Sequence, residues 1–498
     1  MMKDCELTKT EQEYFAPGMP RVAGVESEYG VGYLLDGAVA TGEDGIPSIQ
    51  YIEAMKLLHP DIPWIGDMSL MGRWYSDYGD HPEHASNEYL DYLELAYAKV
   101  GADTLLVEAV KKAVTDRAVQ TSGKHEAVIK IRSSDVHGNY FAGMHASMAI
   151  PRSAFNRIFE LPAGRRDTSP GVRQLATYLL MSSLVLGNGV LRRDQDRADV
   201  QFVHPFERLH GFTKVTGAQT TAERGIINTR DEGHADARTH ARLHVIALDV
   251  HTRPLATFLQ LSALSAMLRT FELNSSLPEY ASNPLQALWA LKYNHDSLVT
   301  TVDASGTERS TRSYEYARRM FGFLSDLAQK EGFPEQEVVA LERIVRGIDG
   351  FLEGRVDDGE VTDVFPWLLK HKLLAHKDLV GRPLKRSELE LARAEVDMFV
   401  TYLVTPEGIV EGAYLKKFRP DKVVRVGKSQ LMHPPEDTRA AGRAHKIAEV
   451  CKKPNLVQSA DARAYWNHMH WYEKNPETGN AERQTSYFIN PAPMRNAQ

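Results

Sequence analysis

The chain changes its periodicity at Pro254, and that change limits what it can fold into. Before Pro254, short β-prone runs with two-residue alternation lie between helical stretches; after it, apolar residues fall mainly at three- and four-residue steps. Arg21 to Gly32 alternates like a strand, with Glu26 and Glu28 on one face. Ala127 to Pro151 reads as two strands around a Gly-containing turn, and Gly225–Ile227 and Arg242–Ile246 are further β-prone runs. Helical patterns cover Ile52–Leu58, Asn87–Val119 and Arg173–Leu186. They recur at Ala256–Leu273, Leu285–Lys292, Ser313–Gln329, Glu335–Ile348, Trp367–His376 and Arg386–Tyr402. Thr301–Arg312 reads as a polar, exposed connection, Val423–Val426 as a short strand, and Asp437–Val450 as a helix. The expected fold is α+β, in three parts: a flexible N-terminal arm over 1–20, a catalytic domain over 21–400 that turns helical from about 254, and a small C-terminal domain over 401–498.

The net charge of −7 argues against a general nucleic-acid or membrane-surface binder, since either favours a basic excess. An anion site must then be built from locally clustered Arg. With only Cys5 and Cys451, the chain has neither a disulfide framework nor a Cys-based zinc site. The N-terminal residues lack the apolar core of a signal peptide, and the apolar run from Leu175 to Leu191 is broken by Ser182-Ser183 and Gly187-Asn188-Gly189. A cytoplasmic protein is the expectation.

Chemistry-bearing residues gather in a few places. Ile226 to Asp236 packs Arg230, Asp231, Glu232, His234 and Asp236 directly after a β-prone run, and Arg242 opens the next strand. Such a cluster suits phosphate and a divalent metal, and it equally suits a surface ion-pair network. Glu26 and Glu28 point the same way, so a bound cation would relieve their repulsion; an exposed edge strand is the plain alternative. Tyr75 to Glu83 sets Asp77, His81 and Glu83 among turn residues, where a carboxylate serves as base or metal ligand, or merely forms a polar loop. His145 sits in a small-residue strand, a setting in which His is more often structural. The chain has no Walker-type phosphate loop and no dinucleotide fingerprint, so an ATP site would hold metal-bridged phosphates with Arg side chains. The aromatic run Tyr465–Tyr472 suits either a partner surface or packing of the C-terminal part.

Taken in order, several motifs resemble the Pup ligase and depupylase family, a branch of the glutamine synthetase-like carboxylate–amine ligases. They are Gly24-Val25-Glu26-Ser27-Glu28-Tyr29-Gly30, Asp77 through Glu83, Gly143-Met144-His145, Gly225 to Asp236, Arg242-Leu243-His244-Val245-Ile246, and Pro434-Pro435-Glu436-Asp437-Thr438-Arg439. The resemblance implies an antiparallel β-sheet cradle for ATP and Mg2+, packed with helices and flanked by a small C-terminal domain. It implies Glu26, Glu28, Tyr75, Glu83 and His145 as metal ligands. Arg208, Arg242, Arg439 and His234 would bind the nucleotide, and Asp77 and Arg230 would be catalytic. The implied partners are a small Pup-like protein modifier and a protein lysine, joined through an acyl phosphate; nucleic acid and membrane are not among them.

The chain departs from the family in places. Ala146-Ser147-Met148 follows His145 where Glu-Asn-Tyr is usual, Ser133-Ser134 precedes Asp135, Gly233 replaces a Pro, and His251 and Pro254 stand where Asn and Glu are typical. These changes put substrate identity, rather than ATP chemistry, in question. The stretch from Glu26 to Asp77 leaves no room for the long loop that depupylases insert there, which favours a ligase. A depupylase or deamidase, an ATP-dependent ligase of a small carboxylate and amine, and a nucleotide-binding scaffold without turnover are the alternatives.

Overall fold

The structure is a computed structural model. It describes residues 15–16, 18–40, 44–77, 79–121, 123–130, 143–159, 167–193, 201–204, 212–217, 225–229, 240–369, 401–411, 420–457, 463–464 and 468–487.

Two antiparallel sheets are built mainly from the first half of the chain, the second also taking two strands from residues 401–411. In the first, β1 (Ala23–Glu28) lies between β7 (His81–Ala85) and β9 (Met144–Pro151). Beyond β7 come β6 (Gly72–Asp77), β5 (Met68–Ser69) and β4 (Trp64–Ile65), and beyond β9 comes β14 (His240–Leu248), seven strands in all. The second sheet joins β2 (Gly30–Leu35) and β3 (Ala38–Val39) to β8 (His125–Lys130), β18 (Thr401–Val404) and β19 (Ile409–Glu411). Two short pairs, β10 (Val190–Arg193) with β11 (Gln201–His204) and β12 (Lys214–Gly217) with β13 (Gly225–Asn228), stand apart. The expected pair within Ala127–Pro151 exists, but β8 and β9 belong to different sheets rather than to one hairpin.

Helix α1 (Ser48–Leu58) precedes β4, and the long α2 (Tyr92–Gln120) follows β7. Sequence periodicity would start α2 near Asn87. Instead Asp91 caps it, accepting from the amides of Leu93 and Glu94. Residues 87–89 stay extended because Tyr89 exchanges two backbone hydrogen bonds with Ala23, and Asn87 Nδ2 donates to Leu70 O. Helices α3 (Arg152–Ile158), α4 (Pro170–Leu186), α5 (Pro254–Glu272), α6 (Pro284–Tyr293), α7 (Ser313–Lys330), α8 (Glu335–Leu352) and α9 (Gly359–Val364) follow, and of these α3, α4 and α5 contact β9 or β14 of the first sheet. Helices over Arg173–Leu186 and at four places from Ala256 to Ile348 are found where expected, to within a few residues at their ends.

Other expectations fail for physical reasons. Thr301–Arg312 is not a bare connection. It makes up most of the hairpin of β16 (Leu298–Asp303) and β17 (Glu308–Arg312), with β15 (Glu279–Ala281) paired alongside. Its exposed residues give no apolar alternation to read, and its turn is tied by Asp303 Oδ1, which accepts from Ser305 and Thr307 amides. Val423–Val426 lies in a helix, α10 (Asp421–Met432), where packing overrides the β-preference of valine. Tyr402, expected to end a helix, lies in β18; residues 370–400, with most of that helix, lie outside the described residues. The Asp437–Val450 helix is α11 (Arg439–Val450), and beyond it β20 (Leu456–Val457), β21 (Arg463–Ala464), β22 (His468–Lys474) and β23 (Ala481–Tyr487) form a small sheet.

Strand alternation sends Trp74, Ser27 and His84 to the reverse face of the first sheet, over α2. Trp74 stacks on His84 at 4.5 Å between centroids, and Tyr29 lies beyond Trp74 at 6.3 Å. Tyr29 Oη donates to Asp103 Oδ1 at 2.8 Å, and Lys99 pairs with Asp103 at 3.3 Å, both carried by α2. Burial pushes His84 down to about 4, so its neutral ring donates from Nε2 to Met71 O. The reverse face is therefore plugged by aromatic rings, of which the Tyr29 hydroxyl and His84 Nε2 are hydrogen-bonded, while Trp74 Nε1 and His84 Nδ1 are buried without such a bond among the described residues.

The C-terminal segment docks in two ways. Ile447, Val450, Met469 and Trp471 share a small core with Ile65 and Met68, so Trp471 of the aromatic run serves packing. Helix α10 crosses α2 by backbone contact: a Cβ on Gly427 would lie 2.7 Å from Tyr97 O and 2.8 Å from Gly101 N. No helix among the described residues is long and apolar enough to cross a membrane.

Gly427→Ala is expected to destabilise the protein, because neither contact atom is a movable side chain. Overpacking costs about 1–3 kcal/mol, against about 1 kcal/mol of helix propensity gained. A thermal melt with limited proteolysis checks this; faster cleavage after residue 401 is expected.

Candidate active site

The front face of the first sheet collects the residues that alternation sends upward. Glu28 stands opposite Glu83 across β1 and β7, Tyr75 opposite Glu83 across β6 and β7, and Glu26 opposite His145 across β1 and β9. Arg242 and His244 of β14 extend the row beside Ala149 and Ser147 of β9. Five strands, distant in sequence, thus put one hydrophilic patch on one face.

Contacts join these side chains into two groups. Glu26 lies in ion-pair range of three cationic or imidazole groups: Arg242 Nη2 at 2.6 Å, His145 Nδ1 at 3.2 Å and His244 Nε2 at 3.2 Å. The Arg242 guanidinium is fixed further by Nε donating to Ser147 Oγ at 2.8 Å. The second group is Glu28, Asp77 and Glu83, whose carboxylates approach one another closely enough to share one ion. His145 Nε2, 3.5 Å from Glu28 Oε1, links the two groups. Glu28 Oε2 accepts from the Gly143 amide at 2.8 Å, and Glu83 Oε1 accepts from Tyr75 Oη at 2.6 Å. Glu83 is buried, whereas Asp77 is exposed at the end of β6.

The electrostatics separate the carboxylates. Burial alone would raise the Glu26 pKa, but His244 and Arg242 outweigh it and hold the carboxyl well below its usual range. Burial, with Glu26 and Glu28 beside it, drives Glu83 well above that range. Burial and the Glu83 charge likewise hold Tyr75 as a neutral phenol, which donates to Glu83. Burial lowers His244 despite the Glu26 charge, so its ring is a neutral ligand near pH 7.

Among the described residues, four carboxylates and two imidazoles against one guanidinium leave a surplus of negative charge that a divalent cation would neutralise. The donor set fits such an ion. Glu26, His145 and His244 offer one group of ligand atoms within 4.8 Å of each other, and Glu28, Asp77 and Glu83 a second. Carboxylate oxygens with imidazole suit Mg2+ or Mn2+.

The structure thus brings Glu26, Glu28, Tyr75, Asp77, Glu83, His145 and Arg242 together. Arg208, Arg230 and His234 lie outside the described residues, and of the Gly225–Asp236 run only Gly225–Thr229 is described, with Gly225–Asn228 buried in β13. Arg439 is engaged elsewhere: its Nε donates to the buried Glu88 at 3.0 Å. Sequence reading passed over His244 as a ligand, although its two-residue spacing from Arg242 on a strand was a visible signal. It also passed over Arg73, which shares the face of Tyr75, lies 4.2 Å over its ring and pairs with Asp67. Ser147, read only as a departure, accepts the Arg242 hydrogen bond. Beside Tyr75 opens a cavity of about 870 Å³ lined by Ile52, Trp64, Arg73, Tyr75 and Cys451 among others.

A family model described as Pup-ligase protein matches residues 68–470. Curated relatives include the Pup–protein ligase of Brachybacterium faecium, 28% identical over 367 residues and covering 71% of each chain. Another is that of Corynebacterium jeikeium, 25% identical over 462 residues, covering 89% of this chain and 91% of that protein. Among solved structures, the complex of the prokaryotic ubiquitin-like protein Pup with its ligase PafA aligns with a TM-score of 0.71 at 19% identity, covering 96% of this chain and 90% of that one. PafA in complex with ADP aligns at 0.63 and 18% identity, covering 92% and 93%. The fold is thus that of the Pup ligases, a glutamine synthetase-like α+β cradle, and with the family model spanning most of its length the chain belongs to the Pup-ligase family.

Proposed function

We propose that this protein is an ATP-dependent ligase that joins the C-terminal carboxylate of a Pup-like modifier to a protein lysine, with divalent cations on the front face of the first sheet. One observation carries the reading: two donor groups, Glu26–His145–His244 and Glu28–Asp77–Glu83, share one sheet face in a member of this family. The relatives named as Pup–protein ligases and the PafA structure bound to ADP support the substrate and the nucleotide. Ligation rather than hydrolysis is supported by the chain between Glu26 and Asp77. The described residues there are occupied by β2, β3, α1 and the short strands β4–β6, with no long insertion.

The chemistry follows from what the residues offer. A carboxylate is a poor acyl donor, so the modifier's carboxylate oxygen attacks the terminal phosphorus of ATP, giving an acyl phosphate and ADP. The lysine nitrogen then attacks the acyl carbon, the C–O bond to phosphate breaks, and phosphate leaves. Glu26, His145 and His244 would hold one cation, and Glu28 and Glu83 a second, with Asp77 at its edge. Bound there, such ions would neutralise charge on the phosphates during transfer. Arg242, tied to Glu26 and Ser147, is held ready to stabilise the transferred phosphoryl group, with Arg208 and Arg230 proposed beside it. His234 and Arg439 belong to the same sequence-based proposal; the Arg439 contacts with Glu88 weigh against a direct phosphate role for it. The cavity beside Arg73 and Tyr75 has room for the nucleoside. Asp77, exposed at the strand end, is the proposed acceptor of the lysine proton.

Asp77→Asn is expected to lower the rate of conjugate formation by about 10²–10⁴-fold, while ADP binding measured by calorimetry stays within a factor of two or so of wild type. Loss of ADP binding in parallel would refute the base assignment.

A second expectation concerns pH. The Glu83 carboxyl holds its proton to a higher pH in the folded, cation-free protein than in the unfolded chain. Its contribution to stability is therefore full below the unfolded pKa and is lost as pH rises through the folded one. A cation must displace that proton, so Mn2+ affinity should weaken as pH falls through the raised pKa. Glu83→Gln should flatten this pH dependence, raise the melting temperature of the cation-free protein at pH above the raised pKa, and weaken Mn2+ binding at least about tenfold. Titrations and thermal melts across a pH series decide it.

A further inference from the structure

We propose that Glu88, Arg439 and Arg443 form a positioning element through which the C-terminal helix α11 holds the ligand-bearing strands β1 and β7 in place. The proposal rests on the cation reading of the front face.

Glu88 is fully buried, and both its oxygens are taken by guanidinium groups of α11. Arg439 Nε donates to Oε1 at 3.0 Å, Arg443 Nη1 to Oε1 at 2.7 Å, and Arg443 Nη2 to Oε2. Arg443 Nη2 also donates to Asn87 Oδ1 at 3.2 Å, and Thr438 Oγ1 to the Glu88 carbonyl at 3.1 Å. Three side chains, one from the capping residue of α11 and two from the helix itself, thus grip two consecutive residues.

Those two residues continue directly from the strand that carries Glu83. The intervening Ser86 exchanges its amide and hydroxyl with Val25: Ser86 N donates to Val25 O, and Val25 N to Ser86 Oγ, each at 2.9 Å. Asn87 Nδ2 reaches Leu70 O, and Tyr89 bonds twice to Ala23. Residues 86–89 therefore tie the end of β7 to the start of β1, next to Glu26. What α11 grips is the joint between the two strands that supply Glu26, Glu28 and Glu83.

The cluster is a poor device for stability alone. A carboxylate with two guanidiniums, all desolvated, is commonly matched or exceeded in stability by apolar residues of similar volume. What it provides is direction. Charge-assisted bonds to both oxygens of one carboxylate fix its position and angle in a way that packing does not. Partners behind metal ligands typically govern ion affinity by such orientation.

The test is Mn2+ binding to the full-length protein, followed by electron paramagnetic resonance of the free ion. Arg443→Ala is expected to bind Mn2+ about 10–100-fold more weakly with an unchanged far-ultraviolet circular dichroism spectrum. Guanidinium at sub-denaturing concentration should recover part of the loss, and Arg443→Lys should lose less than Arg443→Ala. Arg346→Ala, which removes only the exposed pair with Glu360, should leave Mn2+ binding unmoved. If Arg443→Ala does not fold, Thr438→Val takes its place, with a few-fold loss expected. A folded variant with wild-type Mn2+ affinity overturns the proposal alone. Wild-type protein that takes up no Mn2+ overturns the cation reading and the proposal with it.

Discussion

Three carboxylates on adjacent strands, Glu26, Glu28 and Glu83, face one another across a partly buried sheet surface, and the rest of the molecule accommodates that repulsion. Glu28 and Glu83 are direct cross-strand partners, a pairing that is unfavourable without compensation. The compensation is uneven. Arg242, His145 and His244 gather at Glu26, whereas among the described residues Glu83 has only the Tyr75 hydroxyl and the repulsion of its neighbours. The Glu26 carboxyl is accordingly held well down and that of Glu83 well up. A face arranged this way is short of counter-charge on its Glu28–Glu83 side and already ion-paired on its Glu26 side.

Such a face stays in register only if its strands cannot slip, since a one-residue shift would turn every ligand to the other side. The reverse face supplies that restraint. Trp74 and His84 occupy the positions next to Tyr75 and Glu83 in their strands, and Tyr29 closes the row with its hydroxyl on Asp103. The Lys99–Asp103 pair lies in α2, so the long helix is bonded to the strands through the same plug. Tyr75, Glu83 and Glu28 therefore each have a packed ring one residue away that opposes slippage.

The sequence showed the two-residue alternation that places Glu26 with Glu28, and by the same rule it offered His244 beside Arg242. The sites of Asp77, Glu83 and His145 were legible as motifs, but their convergence depends on strand order, which pairs β1 with β7 and β9 rather than with its sequence neighbour β2. No local pattern carries that information. The hairpin of β16 and β17 escaped detection because β17 is largely exposed and β16 turns the polar Thr301 inward, so neither shows a clear apolar period. Helix α10 looked like a strand because its valines were judged without the Gly101–Gly427 crossing that packs it. Arg439 looked like a phosphate ligand because an Arg in a family motif suggests function, and nothing in sequence reveals a carboxylate such as Glu88 waiting in the core.

Exposure also differs across the site in a way that bears on the acceptor. Glu83, His145, Arg242 and His244 are buried, while Asp77 stands in solvent at the end of β6. Phosphoryl transfer gains from exclusion of water, where charge–charge interactions are stronger. A lysine on a folded protein cannot enter such a recess and must be met at its edge. Asp77 stands at that edge, its carboxylate close to those of Glu28 and Glu83. The departures from family pattern at Ala146 and Met148 lie in β9, well inside the fold and buried. They alter the packing next to His145, and by geometry they act on the cradle before they act on any surface that a protein acceptor touches.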